Sequence, residues 1–273
     1  MLICPVCSRS LAPEEGALRC HAGHSFDLAA NGYCNLLTGS KAGRFIGDDR
    51  EMVLARRRFL ESGAYESLRE AVCSAALNLT ETCSRFRLLD AGCGEGYYTS
   101  AVTAAAAKTG RLEEAVGLDI SKSATRYAAG RDKHTRYVTA NSYRMPVADG
   151  CADLILTLFA PAPAGEFRRV LAPGGAVLQC VPGAEHLWEL KQAVYDRPYP
   201  NREDKHRLDG FLQADRQKLI YTRDLDSPEQ IRDLFSMTPY VHRTPQESMT
   251  RLLSLKRLSV TFSFLLLTWR LQE

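Results

Sequence analysis

Residues 86–100 read FRLLDAGCGEGYYTS, an apolar run followed by a glycine-rich turn and a stretch with helical spacing. This pattern predicts a strand that ends near Asp90 and a helix from Tyr97, joined by a turn that contains Gly92 and Gly94. Glycines in the turn let the backbone approach a ligand closely and let the helix pack on the strand. The segment therefore predicts an α/β protein, although many α/β proteins carry such a turn and bind no nucleotide.

The loop has the spacing G-x-G-x-G, which differs from the G-x-G-x-x-G spacing of dinucleotide-binding proteins. Asp90 lies just before the loop, and its carboxylate would repel a pyrophosphate but attract an ammonium or sulfonium cation. The next apolar run, residues 115–120 (AVGLDI), contains Asp119 where an acidic side chain can accept hydrogen bonds from both ribose hydroxyls. Together these features predict a site for the cofactor S-adenosylmethionine.

Further apolar runs alternate with segments of helical spacing along the chain. The predicted strands cover residues 135–140, 153–160 and 176–181, and the predicted helices cover residues 123–130 and 164–171. This alternation predicts a doubly wound parallel sheet, the Rossmann-like core of a class I methyltransferase. Asn141 follows the third strand, where it could meet the adenine of the cofactor or, equally, cap the next turn.

The start of the chain contains cysteines and a histidine at zinc-ligand spacing. Cys4, Cys7, Cys20 and His24 form a C-x2-C-x12-C-x3-H pattern, and two such pairs on tight turns can complete a tetrahedron. His21 is an alternative fourth ligand, but it adjoins Cys20 and would strain a shared chelate. Four protein ligands leave no position for water, so the pattern predicts one structural Zn²⁺ per chain, unless the four residues are unrelated.

The zinc pattern and a glycine-containing stretch divide the chain. We predict a zinc-binding RNA-recognition domain over residues 1–37, a linker over 38–50 and a methyltransferase domain over 51–273. Helical spacing with a break near Gly63 predicts two helices at the start of the third part. Because the sheet is predicted to begin near Phe86, we expect it to need no strand from the zinc-binding part.

The composition is typical of a folded globular protein, with 45% hydrophobic and 25% charged residues in 273. The formal net charge of +3 is too small to predict a nucleic-acid partner by itself. Residues 258–269 form the most apolar stretch, but polar side chains interrupt it and it is shorter than the roughly 20 residues that span a bilayer. The start of the chain lacks signal-peptide features, so we expect a cytoplasmic protein whose nine cysteines form no disulfides.

Several longer stretches carry a resemblance to a known family. They are CPVC (4–7) with CHAGH (20–24), FDLAANGYCNLL (26–37), GDDREMVLARRRFLESGAYESLRE (47–70), LLDAGCGEGYYT (88–99) with GLDIS (117–121), PGAEHLWELK (182–191) and MTPYVHR (237–243). The chain resembles the bacterial 23S ribosomal RNA (guanine-N1)-methyltransferases, which include relatives that confer resistance to the macrolide tylosin. The glycine loop alone would fit many methyltransferases, whereas its combination with this zinc pattern is specific.

The resemblance implies cofactor contacts that spacing does not reveal. It implies that Tyr65 and His186 contact S-adenosylmethionine, and that Gly94 and Glu95 do so from the loop. Without it, Tyr65 would be interpreted as an aromatic residue packing its helix and His186 as a surface or capping histidine. Cys93 is interpreted as a small loop residue, because methyl transfer needs no covalent intermediate.

The basic residues Arg56, Arg57 and Arg58 follow the linker, which itself carries Lys41 and Arg44. They could form a track for RNA phosphates, or they could be a solvated helix face balanced by neighbouring acidic residues. The resemblance implies that the zinc domain and the cleft of a homodimer hold a hairpin of 23S ribosomal RNA. Hairpin loops offer unstacked bases, which are the usual targets of sequence-specific recognition.

Methylation of guanine N1 requires that N1 loses its proton while the sulfonium donates the methyl group, so orientation is the expected contribution of the enzyme. Phe159 opens the stretch FAPAP after the fourth strand and lacks the Asn/Asp-Pro-Pro-Tyr pattern of other base methyltransferases. It could stack on the target base or belong to the core. No general base is predicted.

Two other functions remain open from the residues alone. The same cofactor could serve a small-molecule or protein acceptor, or the chain could be a non-catalytic zinc-containing RNA-binding protein. The joint presence of Asp90, the loop glycines and Asp119 disfavours the second of these.

Overall fold

The computed structural model describes residues 1–38 and 47–272. Most of the predicted linker, including Lys41 and Arg44, lies outside the described residues. A mixed eight-stranded sheet forms the centre of the molecule, and a small three-stranded sheet lies in the N-terminal segment, which we define as residues 1–38.

The strands of the small sheet are β1 (Ala12–Glu14), β2 (Ala17–Arg19) and β3 (Ser25–Asp27). The strands of the large sheet are β4 (Cys34–Asn35), β5 (Phe86–Ala91), β6 (Leu112–Asp119), β7 (Arg136–Thr139), β8 (Ala152–Leu158), β9 (Leu171–Pro182), β10 (Phe211–Leu225) and β11 (Leu258–Leu271). Their order is β10-β11-β9-β8-β5-β6-β7-β4. Strands β4 to β9 run parallel, whereas β11 is antiparallel to both β9 and β10.

The helices are α1 (Arg50–Glu61), α2 (Glu66–Leu79), α3 (Tyr97–Lys108), α4 (Lys122–Arg131), α5 (Ala164–Val170), α6 (Trp188–Val194), α7 (Pro228–Ser236) and α8 (Gln246–Leu253). Side-chain caps fix several helix starts: Asp49 accepts from the Met52 N–H at α1, and Ser121 accepts from the Ala124 N–H at α4. Such caps satisfy backbone donors that the first turn leaves free.

The sheet buries both faces, as parallel sheets do. Leu88 of β5 faces a core built with α1, α2, α3, α6 and α7, and the next residue, Leu89, faces a core built with α5 and the N-terminal segment. The strands and helices predicted between residues 86 and 181 are therefore confirmed. The prediction of a purely parallel sheet was incomplete, because the apolar stretch around 258–269 forms the antiparallel strand β11.

The N-terminal segment is built into the large sheet. Strand β4 pairs with β7 at the sheet edge, and Leu2 forms a bridge with Val147. The side chains of Leu2, Leu18 and Leu36 lie in the same core as Leu89. The expectation that the sheet needs no strand from the zinc-binding part was therefore wrong: a two-residue strand is too short to show a periodic pattern, and its pairing partner lies about 100 residues away in the chain.

Among the described residues, no helix is long and apolar enough to cross a membrane.

Candidate functional site

A cavity of about 880 Å³ lies where the parallel strands β5 to β9 end. This is the edge at which open α/β sheets bind ligands. Its lining includes all the cofactor residues predicted from the sequence: Tyr65, Asp90, Gly92, Gly94, Glu95, Asp119, Asn141 and His186. Arg56 and Phe159 also line it, whereas Arg57 and Arg58 do not. The structure thus brings the predicted cofactor residues to one place.

The glycine loop is held close to the sheet. The N–H groups of Gly92 and Cys93 donate to the Leu118 carbonyl, at 2.8 and 3.0 Å. Gly92 has φ +94°, and a Cβ at this position would overlap the Cβ of Ala160. Gly96 begins α3 at φ +84°. A side chain at Gly92 is therefore excluded both by backbone conformation and by space.

Two buried carboxylates lie beside this loop. Asp119 accepts from the N–H of Gly94 at 3.0 Å and from the N–H of Ser121 at 2.7 Å. Burial raises the pKa of Asp119, and these two hydrogen bonds oppose the shift. Asp90 accepts from the Thr99 hydroxyl at 2.6 Å, and burial together with the charge of Asp119 raises its pKa to about 7. No cationic side chain among the described residues bonds to either carboxylate.

Glu95 is the third buried carboxylate, with 2% of its surface exposed. One oxygen, Oε2, accepts from the Nε of Arg131 at 2.7 Å, and the Glu95 carbonyl accepts from the same Nε at 3.0 Å. Burial raises the pKa of Glu95 and the Arg131 charge lowers it. Arg131 is the last residue of α4, so the ion pair joins the glycine loop to that helix.

Unpartnered polar atoms indicate what the cavity accommodates. Within the described part of the chain, Asp90 Oδ1, Glu95 Oε1 and the Tyr98 hydroxyl are buried without a hydrogen-bond partner, and all three residues line the cavity. Buried polar groups rarely remain unpaired in native proteins. Two free carboxylate oxygens next to glycine backbone suit a ligand with cationic donors, so the residues fit S-adenosylmethionine. Asp90, Glu95 and Asp119 would hold it.

Aromatic side chains form the other end of the cavity. Phe159 has φ +57° and is 45% exposed, and its ring stacks on His186 at 6.4 Å between centroids. The interpretation of Phe159 as a core residue is therefore wrong. Tyr65 is buried beside both rings, at 6.4 Å from Phe159 and 6.5 Å from His186. A left-handed backbone at a phenylalanine is strained, and such strain clusters at functional sites.

His186 is an uncharged hydrogen-bond acceptor in this setting. Its Nδ1 accepts from the Ser263 N–H at 3.3 Å. Burial, with a smaller contribution from the Lys191 charge, lowers its pKa to about 3. The single proton of the neutral ring must therefore be on Nε2, because Nδ1 is an acceptor.

Asn141 caps the next turn, as one of its two predicted roles requires, and its contact with adenine stays a prediction. Its side-chain oxygen accepts from the Tyr143 N–H at 2.9 Å, which caps the short 3-10 helix after β7, and the residue also lines the cavity.

The consecutive arginines 56–58 of α1 all have carboxylate partners. Arg56 pairs with Asp48, and Arg57 donates to Glu61 at 3.1 Å. Arg58 donates to both oxygens of Asp233, from Nε at 2.8 Å and from Nη2 at 2.6 Å. The Arg58 pair links α1 to α7. Contact of these arginines with RNA stays a prediction.

The predicted zinc ligands form a compact group. The ligand atoms of Cys4, Cys7, Cys20 and His24 lie within 4.8 Å of one another. Cys7 Sγ and Cys20 Sγ are 3.6 Å apart, and His24 Nδ1 is 3.5 Å from Cys4 Sγ and 3.4 Å from Cys20 Sγ. A tetrahedron with metal–sulfur bonds of about 2.3 Å needs sulfur atoms about 3.8 Å apart, so the group fits Zn²⁺. His21 is exposed and lies outside the group.

Comparisons with known proteins match two parts of the chain. A zinc-ribbon family model described as "RlmA, N-terminal" matches residues 2–41, and a model described as "Methyltransferase domain" matches residues 89–179. A relative from Bacillus subtilis (strain 168), provisionally named as a 23S rRNA (guanine-N1)-methyltransferase, is 30% identical over 96% of this chain and 94% of its own. The chain belongs to this methyltransferase family.

Two further relatives cover about two thirds of both chains. A Micromonospora griseorubida protein with the same provisional name is 42% identical over 69% of this chain and 68% of its own. The 23S rRNA (guanine(748)-N(1))-methyltransferase of Streptomyces fradiae is 35% identical over 71% of this chain and 67% of its own. The crystal structure of the Bacillus subtilis YcgJ protein has the same fold, with a TM-score of 0.52 and 14% identity over 75% of this chain and 99% of that chain.

The family and the geometry agree on the two bound groups. The methyltransferase domain uses S-adenosylmethionine, and the ribbon holds one structural zinc. Arg131, Thr99 and Tyr98 belong to the site and were not predicted from the sequence. Arg131 lies 36 residues from its partner Glu95, so no local pattern signals it. Tyr98 could have been found, because it lies in the first turn of the helix that follows the glycine loop.

Proposed function

We propose that this methyltransferase transfers the methyl group of S-adenosylmethionine to N1 of a guanine in a hairpin loop of 23S ribosomal RNA. The observation that carries the proposal is the nearly full-length similarity to the Bacillus subtilis relative, which spans the zinc ribbon and the methyltransferase domain together. Methyltransferase domains occur with many acceptors, whereas this combination narrows the acceptor to ribosomal RNA.

Bound S-adenosylmethionine supplies an electrophilic methyl group, and the protein's task is to hold the acceptor nitrogen in line with it. Phe159, exposed and fixed in a left-handed conformation, offers a ring on which a flipped guanine can stack. The uncharged ring of His186 stacks on the ring of Phe159 and supports it. Orientation of this kind contributes several kcal/mol to lowering a reaction barrier.

The RNA would enter the cavity from the solvent, guided by the zinc ribbon and by Arg56, Arg57 and Arg58 of α1. A homodimer would supply a second ribbon and widen the surface for the hairpin. We infer a cytoplasmic enzyme, because the proposed acceptor is ribosomal RNA. Residues 1–37 serve as the RNA-recognition part, residues 38–50 as the connection and residues 51–273 as the catalytic part.

A transfer assay tests the acceptor. The full chain is incubated with tritiated methyl S-adenosylmethionine and ribosomal RNA from cells that lack this gene, and the RNA, protein and small-molecule fractions are counted separately. We expect label in 23S RNA only. The same reaction with the Asp119→Ala variant serves as the low-activity control, because this variant lacks the carboxylate that is expected to bind the cofactor beside the loop.

Reverse transcription identifies the base. N1 methylation blocks the Watson–Crick edge of guanine, so we expect a new stop at a guanine in a hairpin loop. Label in the protein or small-molecule fraction would contradict the proposal, as would a stop at a base other than guanine.

A further inference from the structure

An ion-pair network leads from the surface of α1 to the cofactor loop. This ion-pair network consists of Arg57, Glu61, Arg131 and Glu95. Glu61 Oε1 accepts from Arg57 Nε at 3.1 Å and from Arg131 Nη2 at 3.2 Å. Arg131 then binds Glu95 through Nε at 2.7 Å. The charges alternate in sign along the network, and exposure falls from 48% at the Glu61 side chain to 15% at Arg131 and 2% at Glu95.

The inner end of this network is incomplete within the protein. Glu95 Oε2 is bound by Arg131, whereas Glu95 Oε1 is buried and has no partner among residues 1–38 and 47–272, although Glu95 lines the cavity. A buried carboxylate normally has its oxygens paired, because an unpaired one loses hydration without compensation. The free oxygen is therefore available to a donor that arrives with a ligand.

We propose that Arg131 is a positioning residue for cofactor binding, which fixes the ionised carboxylate of Glu95 so that one oxygen remains free for the cationic groups of S-adenosylmethionine. Arg131 also holds the loop backbone, because its Nε donates to the Glu95 carbonyl at 3.0 Å. Arg57 and Glu61 orient Arg131 from α1. Arg57 thus helps to position the cofactor loop through Glu61 and Arg131, in addition to any contact with RNA.

The electrostatics of the network support this role. Burial raises the pKa of Glu95, and Arg131 is the main charge that lowers it. The other groups that face Glu95 are Arg57 and Glu61 from α1, Tyr97 at the start of α3 and the buried thiol of Cys93 in the loop. Without Arg131, burial would prevail and Glu95 would take up a proton at a higher pH. A protonated Glu95 has no charge to offer a cationic ligand.

A double-mutant cycle tests the role by ligand binding alone. Affinities for S-adenosylmethionine and S-adenosylhomocysteine are measured by calorimetry for Arg131→Met, Glu95→Gln and the double variant of the full chain. Each single substitution should weaken binding of S-adenosylmethionine about tenfold, as expected for loss of a charge-assisted contact. The double variant should be no weaker than the weaker single variant, because Arg131 acts through Glu95.

The matched control is Arg69→Met. Arg69 lies over the same Tyr97 ring as Arg131, at 5.1 Å compared with 5.7 Å, but its carboxylate partner is Glu66. Its substitution should change affinity less than about twofold, within the range of an exposed ion pair. Arg131→Lys keeps the charge without the fork of donors, so it should recover part of the affinity. Thermal melting of each variant shows whether it is folded.

The pH dependence separates positioning from a merely structural contribution. As the pH is lowered, the affinity of Arg131→Met should begin to fall at a higher pH than that of the wild type, because burial without the Arg131 charge makes Glu95 easier to protonate. Asp90 also titrates, but it is common to all variants. This difference in the pH dependence of affinity should be absent from the double variant, because Glu95→Gln removes the carboxylate that would take up the proton.

Multiplicative losses in the double variant would overturn the proposal, and so would an unchanged pH slope in a folded Arg131→Met protein. The role rests on the cofactor site of the methyltransferase domain and not on the proposed RNA acceptor. These binding measurements contain no RNA, so a failure of the Arg131 role and a failure of the RNA acceptor give different results.

Discussion

The zinc ribbon and the cofactor cavity both gather polar side chains, but they gather them over very different distances along the chain. The ribbon ligands come from two turns within the first 24 residues. The cavity combines residues from Gly47, before α1, to Tyr240, after α7, and an ion pair beside it joins α4 to the glycine loop. A site made from neighbouring turns can be predicted from residue spacing in the sequence. A site assembled by a sheet can be predicted only where the residues at each strand end form a recognisable motif of their own.

The ribbon also differs in what holds it. Its three strands have three residues each, and most of their side chains are exposed. The cavity stands on a sheet that is buried on both faces. Metal ligation must therefore supply the stability that a core supplies elsewhere. Leu2, Leu18 and Leu36 nevertheless connect the N-terminal segment to the core of the large sheet.

Removal of the metal should have the largest effect. Structural zinc contributes about 10–16 kcal/mol in small zinc-finger peptides, so the Cys4→Ser, Cys20→Ser double variant should lose its zinc, about one per chain, and the fold of the ribbon. Because β4 and Leu36 belong to the large sheet and its core, the methyltransferase part should also melt at a lower temperature. Elemental analysis and calorimetric melting measure both effects.

The control for this experiment is His21→Ala, which should keep its zinc because His21 lies outside the ligand group. An unchanged melting temperature of the methyltransferase part after zinc loss would show that the two parts are independent. Deletion of residues 1–37 is for the same reason expected to destabilise the sheet and not to leave it intact.

The second prediction concerns the glycine loop. Gly92→Ala should destabilise the folded protein by about 3–5 kcal/mol, because it combines overpacking against Ala160 with a positive φ. Gly94→Ala is the matched control: its φ is +55°, but open space surrounds the new methyl group. We expect it to reduce stability by about 1 kcal/mol. Denaturant titration compares the two, and equal losses would show that backbone strain alone decides them.

The sequence predicted these glycines and the acidic strand ends because each follows an apolar run. It also predicted the zinc ligands in full. It did not predict Arg131 or the unpaired oxygens of Asp90 and Glu95, because ion pairs between distant helices leave no local pattern. The place of β4 was missed for a related reason: edge pairing over two residues depends on tertiary packing, which overrides local propensity.

The third prediction uses the raised pKa of Asp90. Its folded-state pKa of about 7 lies above the ordinary value of 3.8 that applies to the unfolded chain. The folded protein therefore binds this proton more tightly, so its contribution to stability is complete below pH 3.8 and is lost as the pH rises through about 7. Asp90→Asn removes the charge and keeps an acceptor for Thr99. Without cofactor, it should stabilise the protein at pH 8 by about 2–3 kcal/mol.

The stabilising effect of Asp90→Asn should vanish near pH 4, which thermal melts over a pH series can measure. The same substitution should weaken S-adenosylmethionine binding, because the carboxylate is then no longer available to a cationic ligand. Equal stabilisation at pH 4 and pH 8 would mean that the group does not titrate between folded and unfolded states as described.

The smallest expected effect tests whether a residue of α1 serves the fold or the RNA. Arg58 donates from Nε and Nη2 to Asp233, but its side chain is 57% exposed, so its Nη1 can reach a phosphate. Arg58→Gln should lower stability by about 1 kcal/mol, since the pair is partly screened by solvent. If Arg58 also meets a phosphate, RNA affinity should fall severalfold and the dependence of log affinity on log salt should become shallower by about 1.

Asp233→Asn is the matched control, because it breaks the same pair and leaves the cation in place. Loss of stability in both variants with an unchanged salt slope would assign Arg58 to the packing of α1 on α7 alone, and it would leave the ribbon as the main source of phosphate contacts.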